Sequence, residues 1–244
     1  VSVDLNSDIG EIRGGLDPQI VKLVSSVNIS CGVHAGDRAL TASTIVLARD
    51  AGVAIGAHPG MPGSFGRTET EIDPNEAFAQ MRDQLISFFE LAAPLGVAVT
   101  HVKPHGALYN QAETSPEIAS AIVNAVSEID RGLAIYGLAG GKLIAAAKAA
   151  GFRTIGEYFA DRVYEADGTL RTRSHLDAVI DDTQDATNRV IEAIKEQSIT
   201  TRDGSKIPIR IESICVHGDN AQAVEMIEAV RNSLLLASIE IKSP

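Results

Sequence analysis

About seven short β-branched or apolar runs alternate with longer stretches of helical period along the whole 244-residue chain. That alternation points to βα units around a parallel sheet. The strands are read as Val1 to Leu5, Val27 to Cys31, Val53 to Ala57, Val97 to Val102, Leu133 to Leu138, Thr154 to Tyr158 and Ile211 to Val216. Helices are expected at Pro18 to Val24, Ala39 to Ala51, Asn75 to Ala92, Pro116 to Ile129, Lys142 to Ala150, Thr183 to Gln197 and Ala221 to Leu236. Asp73-Pro74 and Ser115-Pro116 pair a capping side chain with a proline suited to the first turn, and Gly52, Gly96 and Gly151 mark helix ends. This many units suggest a closed or nearly closed β/α barrel, with an open doubly wound sheet as the alternative. Asp161 to Thr183 and Ser198 to Ile209 break the rhythm with turn formers, Asp167-Gly168 and Asp203-Gly204, that read as hairpins on the rim. No composition break divides the chain, so one domain over 1–244 is expected.

Composition narrows the partners. With 45% hydrophobic residues the chain can bury a large core, and its net charge of -11 repels nucleic acid and anionic membranes. No membrane-length apolar run occurs, and Val1 to Gly10 lacks the pattern of a signal peptide, so a cytoplasmic location is expected. The two cysteines, Cys31 and Cys215, form no CxxC pair, which fits reduced thiols rather than a zinc cluster or a disulfide.

In parallel α/β folds the active site lies at the carboxyl ends of the strands. Five of the six histidines fall there, with only His175 elsewhere. Asp4, Asn6 and Asp8 share one face after the first strand if the backbone stays extended, and His101, Lys103 and His105 share one face after the fourth. His34 and Asp37 follow the second strand, His58 the third, Glu157, Asp161 and Arg162 the sixth, and His217 and Asp219 the seventh. Asp37 and Asp219 also suit the caps of the helices that follow them. Cys31 beside His34 suggests a nucleophilic thiol, although an inert buried cysteine is the commoner case. A lysine between two histidines at the end of an apolar strand calls for an anion. Asp8, His34 and His58 suit a divalent cation, or acid-base work without one. Gly141-Lys142 has the end of a P-loop, but Tyr136 replaces its first glycine and Leu143 its magnesium-binding hydroxyl, so a nucleotide would be held another way or by another chain.

The segments Asp4 to Glu11, Asn28 to Asp37, Gly56 to Gly60, His101 to Asn110 (HVKPHGALYN), Glu157 to Tyr164 (EYFADRVY) and Val216 to Asp219 resemble the LamB/YcsF family, in order and over nearly the whole chain. Ser7 stands where that family usually has Cys, Ser30 where it usually has Ala, and the loop from Gly60 to Arg67 is shorter than usual. The resemblance implies a deformed parallel β/α barrel similar to the polysaccharide deacetylase group. It also implies the A subunit of an ATP-dependent 5-oxoprolinase, which opens 5-oxoproline to L-glutamate with hydrolysis of ATP and needs partner subunits B and C. A divalent cation would accompany the nucleotide or sit in the site, and a homo-oligomer is compatible with this reading.

On that resemblance, Lys103 and Arg162 hold the substrate carboxylate or developing phosphate charge. Asp8, His34, His58 and His105 activate water or protonate the ring nitrogen. Asn6, Glu11, Asp37, Glu157, Asp161 and His217 bind or orient. Alanine at Lys103 or His105 is expected to remove activity and spare the fold. The rival readings are a metal-dependent amide hydrolase acting alone and a non-catalytic lactam-binding subunit.

Overall fold

A computed structural model describes residues 1–68, 70–218 and 222–244. In chain order its elements are β1 (Ser2–Ile9), α1 (Asp17–Ile20), β2 (Ser26–Ser30), α2 (Arg38–Ala51), β3 (Ala54–His58), α3 (Pro74–Ala92), β4 (Val99–Val102), α4 (Gly106–Ala112) and α5 (Pro116–Ile129). They continue with β5 (Ala134–Leu138), α6 (Lys142–Ala149), β6 (Thr154–Phe159), α7 (Thr183–Glu196), β7 (Ser198–Thr200), β8 (Lys206–Pro208), β9 (Ser213–Cys215), α8 (Ala223–Leu236) and β10 (Glu240–Ile241).

Among the described residues, β1, β2, β3, β4, β5, β6 and β9 pair in parallel in that order, and β9 closes on β1. The expected closed barrel is therefore present, and the open sheet is not. β10 adds a parallel pair at Ser2 and Val3, and β7 and β8 form a separate antiparallel hairpin. The caps work as the sequence implies: Leu40 N donates to Asp37, Asn75 N and Glu76 N to Asp73, and Ile118 N to Ser115. Both rim insertions turn back on themselves, at the β7–β8 hairpin and through antiparallel bridges Arg162 to Val179 and Tyr164 to Leu170. Asp219 as a cap and Ala221 as a helix start lie outside the described residues. No helix among the described residues is long and apolar enough to cross a membrane.

Four elements differ from the sequence reading. β1 runs on to Ile9 rather than ending at Leu5, α1 is a single turn rather than Pro18 to Val24, and α4 and β10 are additional. The apolar core lies between strands and helices, where Leu5, Val27, Ile29, Val102, Ile135 and Ile214 face outward from the barrel. The inside of the barrel is polar. Asp4, Asn6, Ser26, Asn28, His101, Lys103, Glu157 and Ser213 are all buried there, in place of the branched aliphatic layers that usually fill such barrels. Gly56 makes room for this, since a Cβ there would meet the His101 ring at 2.2 Å.

Candidate active site

The polar column starts at the floor with Asp4, whose carboxylate accepts from Ser25 Oγ (2.7 Å), Ser26 Oγ (2.8 Å), Tyr136 OH (3.0 Å) and Ser213 Oγ. Burial outweighs these donors and raises its pKa. Above it the direction of each hydrogen bond can be deduced. Asn28 Nδ2 donates to Asn6 Oδ1 and Asp8 Oδ1, both at 2.8 Å, so Asn28 Oδ1 must accept from His101 Nε2 at 2.9 Å. His101 Nδ1 then accepts from Thr100 Oγ1 at 2.8 Å. The ring is neutral with both nitrogens used, and burial, with repulsion from Lys103, pushes its pKa down to about 3. Asn6 Nδ2 passes the chain on to Glu157 Oε1 (2.9 Å) and Ser213 Oγ (2.8 Å).

Lys103 sits on this column. Beyond β4 the backbone stays paired, with Lys103 N donating to Ala57 O and His105 N to Pro59 O, which keeps His101, Lys103 and His105 on one face. Lys103 Nζ lies 3.0 Å from Asp8 Oδ1, 2.9 Å from Glu157 Oε1 and 3.2 Å from Cys215 Sγ. Burial opposes its charge, but attraction to Asp8, Cys215 and Glu157 holds the ammonium well above the usual lysine range. Asp8 is held well below the usual carboxylate range because His58 and Lys103 overcome its burial, whereas burial and Asp8 raise Glu157. Lys103 does need anions, as its sequence context implies, and the protein supplies two of them. Removing it would leave buried carboxylates without a counter-ion, so alanine there is expected to cost stability as well as activity.

The upper wall is a histidine cluster. His58 Nδ1 faces Lys103 O at 2.8 Å and His105 Nε2 faces Phe65 O at 3.0 Å. Carbonyls only accept, so these nitrogens carry protons and leave His58 Nε2 and His105 Nδ1 facing each other at 2.9 Å. His34 stacks on His105 with centroids 3.9 Å apart, and its Nε2 lies 3.1 Å from Glu11 Oε1. Burial lowers the pKa of His34, and burial with repulsion from His58 and His34 lowers that of His105. Glu11, His34, His58 and His105 bring one ligand atom each to within 4.8 Å of one another, a group able to hold a metal ion. The expected trio of Asp8, His34 and His58 is met in part: Asp8 pairs with Lys103 through Oδ1 and lies 3.3 Å from His58 Nε2 through Oδ2, while Glu11 and His105 join the two histidines.

Across the opening, His217 Nδ1 lies 2.7 Å from Asp161 Oδ2 and its ring stacks on Phe159, which leaves Nε2 for a ligand. Burial works against charge on Asp161, but His217 outweighs it and keeps the carboxyl below its usual range. Between the dyad and the cluster is a cavity of about 560 Å³ lined by Asp8, His58, Lys103, His105, Arg162 and His217. Tyr109, Arg67 and Arg173 also line it and were not singled out from the sequence. Tyr109 donates to Glu157 Oε2 at 3.1 Å from the unanticipated α4, and its place in HVKPHGALYN was the available signal. Arg162 turns two donors to the Ala178 and Arg171 carbonyls; burial and repulsion from Arg173 bring its pKa down to about 10.

Other candidates lie elsewhere. Asp37 caps α2 and pairs with exposed Arg13, away from the cavity lining. Asn6 and Glu157 are enclosed beneath the site. Burial pushes the Cys31 thiol up to about 12, which favours the inert reading. The N-terminus of α6 at Gly141-Lys142 is filled by the chain's own Glu113 carboxylate, which accepts from Lys142 N at 2.6 Å.

Comparison with known proteins agrees with this architecture. The family model described as "LamB/YcsF family" matches residues 3–244. A protein of Shouchella clausii, named as the A subunit of 5-oxoprolinase, is 43% identical over 99% of this chain and 98% of its own length. The crystal structure of a lactam utilization protein from Thermus thermophilus superposes with TM-score 0.91 at 36% identity, covering 100% of both chains. A peptidoglycan N-acetylglucosamine deacetylase domain from Eubacterium rectale gives TM-score 0.53 at 11% identity over 99% of this chain and 87% of that one, a likeness of fold alone, and the expected deacetylase-like barrel is borne out. The chain belongs to the LamB/YcsF family.

Proposed function

We propose that this chain is the lactam-opening subunit of an ATP-dependent 5-oxoprolinase, acting with partner subunits B and C that carry the nucleotide and its magnesium. The observation that carries the reading is the cavity with an Asp161–His217 dyad on one side and the His58–His105 pair on the other, in a chain whose full-length relatives bear that subunit's name. Opening the ring requires water on the carbonyl carbon and a proton on the departing nitrogen. Two opposed sets of proton-handling groups suit these two tasks.

His58 and His105, whose Nε2 and Nδ1 face each other on the cavity wall beside Asp8, form the side suited to activating the attacking water, as bases or as holders of an ion that does so. His217, oriented by Asp161, is suited to deliver a proton to the ring nitrogen through Nε2. Arg162, with Arg67 and Arg173 on the same lining, suits the substrate carboxylate and any phosphoryl charge placed on the amide oxygen. That phosphoryl group would convert a resonance-stabilised amide into a reactive electrophile: water adds to the carbon, the protonated nitrogen leaves to give a γ-acyl phosphate, and a second water releases phosphate and glutamate, which accounts for the coupling to ATP. Delivery by a partner fits an α6 N-terminus already filled by Glu113.

The test is glutamate release from 5-oxoproline and ATP by this chain alone and with subunits B and C, each with and without chelator. Activity only in the mixture, and only with ATP, supports the proposal. ATP-independent activity of the chain alone that chelator abolishes establishes the rival amide hydrolase and overturns it.

A further inference from the structure

The histidine cluster is incomplete as a hydrogen-bonded group. His58 Nε2 and His105 Nδ1 face each other at 2.9 Å with both outer protons turned to backbone carbonyls, and Asp8 Oδ2 stands 3.3 Å from His58 Nε2, so with neutral rings two lone pairs and a carboxylate converge with no cation between them. His34 Nδ1 is buried without a hydrogen-bond partner. Glu11 Oε1 lies between the rings, 3.1 Å from His34 Nε2 and 3.4 Å from His105 Nδ1. Outward protons anchored on backbone oxygens are the arrangement that fixes a metal-binding imidazole's tautomer and aim.

We propose that Glu11, His34, His58 and His105 hold one divalent transition-metal ion of the zinc class. Ligand atoms about 2.1 Å from a shared ion lie roughly 3.0 Å apart at a right angle and about 3.4 Å at the tetrahedral angle. Three of the six separations, 2.9, 3.1 and 3.4 Å, span that range, and the other pairs, within 4.8 Å, would draw in around an ion. Three imidazole nitrogens and one carboxylate oxygen select zinc, cobalt or nickel over calcium or magnesium, which prefer oxygen. Asp8 borders the set: its Oδ1 pairs with Lys103 at 3.0 Å, while its Oδ2 lies 3.3 Å from His58 Nε2 and adds negative charge beside the ion. Binding requires His34 to offer Nε2 as a lone pair, so its proton moves to Nδ1, the nitrogen with no other partner. Gly60 is the space that permits this placement: a Cβ there would lie 2.6 Å from His34 Nδ1. The site opens on the cavity through His58 and His105 and supplies a Lewis acid when filled. The metal site does not depend on the lactam reading.

The test measures metal directly on the full chain after chelator stripping, using zinc competition against a chromophoric chelator and cobalt visible absorption. One ion per chain is expected. Glu11→Gln and His34→Gln should each weaken zinc about 100-fold or more while melting as folded proteins, and exposed His175→Gln should bind like wild type. If either ligand variant fails to fold, Gly60→Ala replaces it: all four ligands remain, and zinc binding should still fall. Absence of a stoichiometric ion in wild type, or wild-type affinity in the ligand variants, overturns the proposal. So does a strongly downfield proton shared by His58 and His105 that persists in NMR spectra with zinc present. These outcomes read metal and fold rather than glutamate release, so the metal proposal can fail while the lactam reading stands.

Discussion

Acid should unfold this protein partly through His101, and the size of the effect follows from where that ring sits. Its neutral tautomer is fixed between Thr100 and Asn28 inside the barrel, and its folded pKa is about 3 against an ordinary value of 6.5. A folded pKa below the unfolded one in a base means that the unfolded chain binds more protons between these values. Stability therefore rises with pH in this window and falls on acidification. From pH 8, the His101 contribution falls by about 1 kcal/mol at pH 5.5 and about 3 kcal/mol at pH 4.5. Because pH 4.5 lies well above 3, the ring stays neutral in the fold there, and the loss is set almost wholly by protonation of the unfolded chain.

The assay is urea unfolding of wild type and His101→Gln at pH 8, 5.5 and 4.5, with the glutamine able to keep the bond to Asn28. Other buried histidines, including His34 and His105, steepen both profiles. The difference between proteins isolates His101: wild type should lose about 3 kcal/mol more than the variant between pH 8 and 4.5. Parallel profiles would refute the assignment of a buried, obligately neutral ring.

Three further perturbations test other parts of the column. Lys103→Met should cost about 3–5 kcal/mol in urea unfolding by leaving Asp8 and Glu157 without their counter-ion, and adding Asp8→Asn and Glu157→Gln should recover much of it; a loss under about 1 kcal/mol, or no recovery, contradicts the pairing. Gly60→Ala places a methyl 2.6 Å from His34 Nδ1, so it should destabilise by about 1–3 kcal/mol and reduce glutamate release by the assembled complex; a neutral result on both would mean the ring is free to move. Glu113→Ala should cost about 1 kcal/mol by uncapping α6, with no change in ATP affinity of the complex; altered ATP affinity would show that this helix end does meet the nucleotide.

The strands were legible because their outward faces are apolar and β-branched, so Val27, Ile29, Ile135 and Ile214 mark them whatever the barrel contains. Their ends were not. β1 extends to Ile9 because Asn6 and Asp8 point into a polar interior, and a reading that equates strands with apolar runs stops at Leu5. α4 was missed because its seven residues, Gly106–Ala112, follow Pro104-His105 directly, too short for helical period to register.

The site was legible as a set of strand ends, and less so as partnerships. The period of two linked His101, Lys103 and His105 correctly because the backbone stays paired past β4. It says nothing of Glu11, two residues beyond β1, which folds back to the rings. Nor does it give the partners of Lys103: the need for an anion was readable, but not that Asp8 and Glu157 meet it from across the barrel.

The central claim is that the lactam opens in this chain's cavity, between the dyad and the histidine pair. Its most direct test is glutamate release by the complex reconstituted with subunits B and C when only this chain carries His217→Gln. A fall of about 100-fold or more is expected, with the variant folded and assembled as wild type. Release at the wild-type rate from such a complex would place the chemistry elsewhere and contradict the claim.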